Sequence, residues 1–210
     1  MNPTGEPLLE LVRAVIAGDG ALVGHLLAAS PALTTMTYGD GTHRHSAKEY
    51  ILEEVGHYVY VGDSALHIAA AAYKCHIALA LIAAGANVRA RNRRGAEPLH
   101  YAADGVPGSR AWNPDAQAAT ITGLIREGAD PNAVDNSGVA PLHRAVRTRC
   151  AAAVKALLDG GADVQRKNKK SSTPMQLATR NTGRGGSGSP EAKMQQEVIV
   201  RLLVQHGAPQ

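Results

Sequence analysis

Apolar residues fall in short blocks along this chain, and the blocks repeat. Leu11, Val12 and Val15 are followed by Gly18-Asp19 and then by Leu22, Leu26 and Leu27, a pattern that predicts two short helices joined by a turn at the glycine. Downstream the first block returns as a tetrapeptide: Ser64-Ala65-Leu66-His67, Glu97-Pro98-Leu99-His100, Ala140-Pro141-Leu142-His143 and Thr173-Pro174-Met175-Gln176. Its third residues stand at 66, 99, 142 and 175, so the steps are 33, 43 and 33. A second marker keeps the same register: Gly85-Ala86, Gly128-Ala129, Gly161-Ala162 and Gly207-Ala208. From tetrapeptide to glycine the intervals are 19, 29, 19 and 32, so two units are uninterrupted and two carry 10 and 13 extra residues. Gly62, Gly95, Gly138 and Ser171 stand four residues before each third position, where a finger-like turn wants a permissive backbone.

A unit of this size cannot bury its apolar face alone, so three or more must stack. The segment from Thr34 to Tyr60 breaks the series and is read separately. Ser46-Ala47-Lys48-Glu49 matches a capping box and predicts a short helix from Ala47 to about Val55. Tyr58-Val59-Tyr60-Val61 alternates like an extended strand that feeds the next tetrapeptide.

The tetrapeptide and the Gly-Ala pair together resemble the ankyrin repeat, whose first helix opens on Thr-Pro-Leu-His-x-Ala and whose second closes on Leu-Leu-x-x-Gly-Ala. The resemblance covers residues 61 to 210, and residues 8–33 resemble a degenerate capping repeat. It implies an all-α solenoid of about five helix-turn-helix repeats with finger loops and three insertions, forming one domain over 1–210. The expected order is a capping repeat at 8–33, an insertion at 34–60, and repeats at 61–95, 96–138, 139–171 and 172–210, the second and last of these four carrying loop insertions. The chain departs from the family where the first helix turns into the second: Tyr73-Lys74 and Arg149-Cys150 replace Gly-His, so an altered or tightened turn is expected there. In the third repeat the turn is expanded by Asp104 to Ala116 and in the fifth by Arg180 to Ala192, and both loops are expected to leave the same edge. The Gly- and Ser-rich run from Thr182 to Ser189 is expected to be mobile, and the Val106 to Pro114 loop, with Trp112 and two prolines, better ordered.

Composition agrees with thin layers. There is no Phe and one Trp, and small aliphatic residues supply the apolar content, which suits closely packed helices better than an aromatic core. Cys75 and Cys150 lie far apart in no metal-knuckle pattern, so neither a disulfide framework nor a zinc site is indicated. No stretch approaches the ~20 apolar residues that cross a bilayer, and the N-terminus lacks a signal-peptide pattern. A cytoplasmic protein outside the membrane is expected.

The net charge of +4 is short of the basic density of a dedicated nucleic-acid binder, and nucleic acid is not the expected partner. Basic residues nevertheless cluster on the predicted fingers: Arg89, Arg91, Arg93 and Arg94 on one, Arg166, Lys167, Lys169 and Lys170 on another, with acidic Asp130 and Asp135 between. Arg144, Arg147 and Arg149 add a group along a first helix. Such clusters suit an acidic protein surface, although finger tips also tolerate charge simply because they are solvated.

Four of the six tyrosines, Tyr38, Tyr50, Tyr58 and Tyr60, fall in the 34–60 segment. They are candidate partner-binding groups, because tyrosine offers apolar area with a polar tip, and equally candidate seals of the insertion against the stack. His43, His45, Glu54 and His57 mix imidazole with carboxylate and form the alternative, a metal or catalytic pocket under the insertion. No nucleophile elbow, phosphate loop or zinc-binding helix accompanies them. His67, His100 and His143 tempt a metal reading too, but the resemblance implies that they bridge neighbouring repeats, each a repeat too far from the next to share one ion. The expected function is therefore a non-enzymatic scaffold, monomeric and without cofactor. It binds a protein partner on its concave face and the 34–60 insertion, through Tyr38, Tyr50, Tyr58, Tyr60, Arg91, Arg93, Arg94, Arg144 and Arg147.

Overall fold

The computed structural model describes residues 6–39, 51–110, 112–180 and 190–209. Short helices follow one another in pairs: α1 (Glu6–Ala17) with α2 (Gly20–Ala29), α3 (Ala65–Ala71) with α4 (Cys75–Ala83), and α5 (Pro98–Ala102) with α6 (Pro114–Arg126). Then come α7 (Pro141–Arg147) with α8 (Ala151–Asp159), and α9 (Pro174–Thr179) with α10 (Pro190–Gln205). First helices pack on first helices and second helices on second helices, which makes a two-layered stack. The all-α solenoid expected from the repeat is what forms.

Local chemistry explains the helix boundaries. Each first helix after the insertion begins at the tetrapeptide's proline or its equivalent alanine, with extended backbone at the residue before it. The third residue of the helix then caps the start, since the ring Nδ1 of His67, His100 and His143 accepts from the backbone N–H of Ser64, Glu97 and Ala140, each at 3.1 Å. The fingers are built alike: Asn92 Oδ1 accepts from Arg94 N and Ala96 N, Asp135 Oδ1 from Ser137 N and Val139 N, and Asn168 Oδ1 from Lys170 N and Ser172 N. Successive fingers join by backbone bonds, Arg93 N to Val61 O at 2.8 Å and Asn136 N to Arg94 O at 2.9 Å. Close passage of the next finger explains Gly138, where φ is +70° and a Cβ would lie 2.8 Å from Lys169 N.

The interhelix turns correct one expectation. Tyr73 and Arg149 sit in the left-handed region at φ 54° and 61°, and the turn keeps the glycine geometry rather than tightening. Lys74 N bonds Ala69 O at 2.9 Å and Cys150 N bonds Ala145 O at 3.0 Å, the same closure that Ala86, Ala129 and Ala162 make after their glycines. Tyr73 gains something for its strain, since its hydroxyl donates to Asp104 O. Arg149 is buried, and its Nη1 has no hydrogen-bond partner. Arg149→Gly is therefore expected to stabilise the protein by about 1 kcal/mol, roughly the left-handed penalty removed. Thermal melts of the two proteins measure it, and a lower melting temperature for the variant would show that packing of the side chain outweighs the backbone.

The insertion is the second correction. Residues 51–55 are not helical: β1 (Ile51–Leu52) pairs antiparallel with β2 (His57–Tyr58), with Leu52 opposite His57. Gly56, at φ 66°, closes the turn by donating to Leu52 O at 2.7 Å. That left-handed glycine favours a hairpin over the helix that the capping box suggested; the box itself, with Tyr50, His43 and His45, lies outside the described residues. Before the hairpin, Tyr38 N donates to Asp63 O and Gly62 N to Tyr38 O, both at 2.8 Å, which ties residues 36–39 to the entry of α3. The Thr182 to Ser189 run also lies outside the described residues. In the other loop Trp112 is anchored, its Nε1 donating to Gln117 Oε1 at 2.9 Å while Gln117 Nε2 donates to Ala102 O.

Candidate functional site

The residue that follows the capping imidazole or amide lies on the same face of every first helix from α3 on: Ile68, Tyr101, Arg144 and Leu177. The hairpin settles on this row. His57 stacks on the Tyr101 ring at 4.3 Å with planes 27° apart, and His67 meets the same ring edge-on at 5.1 Å. Beneath the stack, the Tyr101 hydroxyl donates to Asp63, 2.8 Å from either oxygen. Asn92 Nδ2 and Tyr60 N complete the shell of that fully buried carboxylate at 2.8 and 2.7 Å. Burial, then the Asp63 charge, pushes the Tyr101 phenol far above its usual range.

On the other side of Tyr101 the polar row continues. His57 Nε2 lies 3.9 Å from Asp104 Oδ2, Arg144 Nη1 bonds the same oxygen at 2.9 Å, and Arg144 Nη2 reaches Asp135 Oδ2 at 3.1 Å. Burial alone would raise the Asp104 carboxyl, but the Arg144 guanidinium and His57 outweigh it and hold it well below the usual carboxylate range. The hairpin, the third repeat and the fourth are thus joined by one partly buried line of polar and charged groups.

The proposed contact residues separate by exposure. Arg144 is buried with both ends of its fork on internal carboxylates, which corrects its placement on a partner-facing surface: no guanidinium edge is left for a partner. Arg147 is half-buried. Tyr38 is half-buried, and burial beside Asp63 raises its phenol to about 12, so it seals rather than displays. Tyr58 is exposed, and Tyr60 is half-buried with Arg94 over its ring, the guanidinium carbon 4.9 Å from the centroid and Nη1 2.8 Å from the hydroxyl. Arg91 is exposed but donates to Val134 O at 2.8 Å and stands 3.9 Å from buried Glu97, while Arg93 is exposed.

Glu54 is exposed, and His57 is half-buried against Tyr101, so these two do not converge. Among the described residues, no group of three His, Cys, Asp or Glu is placed to hold a metal ion. Tyr101, Asp63 and Asp104 carry the geometry of this face yet have no motif of their own. Their only signal in the sequence is position, beside the capping His or at the helix end.

Two family models match the chain. One described as Ankyrin repeats (3 copies) covers residues 111–210, and one described as Ankyrin repeat covers residues 61–93. The chain is similar to E3 ubiquitin-protein ligase KEG of Arabidopsis thaliana, 33% identical over 175 residues, which is 80% of this chain and 10% of that protein. It is similar to Ankyrin repeat and SOCS box protein 16 of Mus musculus, 32% identical over 144 residues, 68% of this chain and 30% of that one. Neurogenic locus notch homolog protein 1 of Danio rerio is 33% identical over 140 residues, 55% of this chain and 6% of its own. The chain thus spans between 6% and 30% of the length of these relatives. No helix among the described residues is long and apolar enough to cross a membrane.

Proposed function

The chain belongs to the ankyrin-repeat family, and from that premise we propose that it is a non-catalytic scaffold holding a protein partner on the face of its first helices and fingers. The 34–60 insertion is its specific element. The observation that carries this reading is the seat of the hairpin: His57 stacks on Tyr101, and the same hairpin presents Tyr58 to solvent beside the Tyr60–Arg94 pair. A tyrosine held by a rigid hairpin loses little freedom when it binds, which is what an aromatic anchor needs. Arg93 and Arg94 at the rim suit a partner with an acidic surface and act more on encounter than on residence. The pocket alternative is not advanced, because His57 is already engaged with Tyr101 and Asp104.

For a partner recovered by affinity purification, Tyr58→Ala is expected to weaken binding by about 2 kcal/mol, roughly thirtyfold. Tyr50→Ala is expected to act in the same direction, and exchange of Arg93 and Arg94 for Gln to slow association in low salt. Lys155→Ala, remote on α8, serves as the control. Surface plasmon resonance with folded variants measures all four. Unchanged affinity in both tyrosine variants would take the insertion out of the binding face.

A further inference from the structure

The row one turn beyond the capping residues changes charge along the stack. Four residues after each capping imidazole or amide stand Ala71, Asp104, Arg147 and Arg180. Asp104 is neutralised by Arg144 at 2.9 Å, whereas neither half-buried Arg147 nor exposed Arg180 makes an ion pair among the described residues. A third arginine joins them from the finger. Where the fingers of the second and third repeats have Ala90 and Ala133, that of the fourth has Arg166. Its Nε is buried without a hydrogen-bond partner, and its guanidinium makes no ion pair among the described residues.

The three meet around the His143 ring. Its Nε2 donates to Arg166 O at 3.0 Å and to Ser172 O at 3.2 Å, and Arg180 Nη1 donates to Ser172 Oγ at 3.3 Å. Burial first, and then the charges of Arg166 and Arg147, pull the His143 imidazole below its ordinary value, so both guanidinium groups lie near that ring. Cations are thus gathered on the fourth repeat, which has a repeat on either side, and no described carboxylate pairs with them. Residues 181–189, which follow Arg180 in sequence, add Arg184 and no acid. Like charges held together repel, and an anion between them relieves the repulsion. A carboxylate is matched by one guanidinium fork, whereas a phosphorylated side chain carries roughly two charges and three acceptor oxygens, enough for several. The buried stem of Arg166 holds its guanidinium in place beforehand, so little freedom is lost on binding.

We propose that Arg147, Arg166 and Arg180 form a site for the phosphoryl group of a phosphorylated side chain on the protein partner. The proposal rests on the reading that a protein lies along the first helices. It adds a charged contact one repeat beyond the hairpin's seat on Tyr101, and it makes binding depend on the partner's modification.

The arginine Nε–H resonances of the whole chain, followed by NMR, test this. Inorganic phosphate is added first, and then peptide pools centred on phosphoserine, phosphothreonine or phosphotyrosine. The Arg147 and Arg166 resonances are expected to shift and saturate with both, while acetate at equal ionic strength leaves them in place. The phosphorylated pools are expected to bind at least about tenfold tighter than their unphosphorylated counterparts. Arg166→Ala restores the residue of the two other fingers, so it keeps the fold, and is expected to weaken phosphopeptide binding by about tenfold or more. Lys167→Ala and Lys170→Ala, exposed on the same finger, are expected to leave it nearly unchanged. Tyr58→Ala is expected not to alter the phosphate titration, so failure of this site is distinguishable from failure of the scaffold reading. Unmoved resonances, equal shifts with acetate, or no preference for the phosphorylated pools would overturn the proposal. So would a loss in the lysine variants equal to that in Arg166→Ala, or tighter binding of a single-stranded oligonucleotide.

Discussion

Acidification from about pH 6.5 to 4 is expected to unfold this protein, through three buried imidazoles that have no room for a second proton. In His67, His100 and His143 the Nδ1 atom accepts a backbone N–H, and Nε2 donates to a carbonyl of the following repeat. Protonation would set an N–H against an N–H and charge a ring that water does not reach. Burial accordingly pulls all three below the ordinary histidine value, and Arg144 helps to bring His100 down to about 4. A folded value below the unfolded one means that the contribution is intact above about pH 6.5 and is lost as pH falls toward 4. At about 1.4 kcal/mol per unit, His100, brought down to about 4, costs about 2 kcal/mol by pH 5, and His67 and His143 add to the loss in the same direction. Thermal melts across pH should show a steep fall below pH 6.5. His100→Gln supplies the control, because Gln176 already makes this cap without a titrating group. Its melting temperature should depend on pH less steeply than the parent's, and a parent whose melting temperature is flat from pH 7 to pH 5 would sink the account.

Those imidazoles also mark what could be read from the chain alone. Their caps and the Gly-Ala closures depend on residues within a few positions of each other, so spacing exposes them, and the stack follows because no single unit can bury its own face. The insertion failed on the same ground. Ser46 and Glu49 are a sound local signal for a helix start, but the described residues from 51 on obey Gly56 and the seat on Tyr101, and that seat depends on a ring about forty residues away in sequence. Arg144 and Arg147 look equivalent in sequence and stand on one helix. Only the packing of repeats separates them, by bringing Asp104 and Asp135 to the first and leaving the second half-exposed. The left-handed Tyr73 and Arg149 are a subtler case, since the turn overrides the residue type once Lys74 and Cys150 close their bonds onto the preceding helix.

Arg144 is where sequence and packing differ most, and its removal is expected to be among the most damaging single substitutions in the molecule. Its side chain is 10% exposed, and it neutralises two carboxylates whose side chains are 23% and 6% exposed. An exposed ion pair is worth about 0 to 1 kcal/mol, because water competes for both partners. Here water is mostly excluded, so Arg144→Met leaves Asp104 and Asp135 charged, close together and poorly solvated, and should cost about 3 to 5 kcal/mol. Asp104 loses the cation that holds its carboxyl down, so burial then raises it. The deficit against the parent should consequently shrink as pH approaches 4, where a raised carboxyl takes up a proton while the parent's cannot. Adding Asp104→Asn should recover part of the loss for the same reason, giving a coupling energy of about 1 kcal/mol or more in a double-mutant cycle. Urea denaturation at pH 7 measures all four proteins. A loss below about 1 kcal/mol for Arg144→Met would mean that the line from Asp63 through Tyr101 and His57 to Asp135 behaves as a solvated surface, and the hairpin would then rest on its ring stack alone.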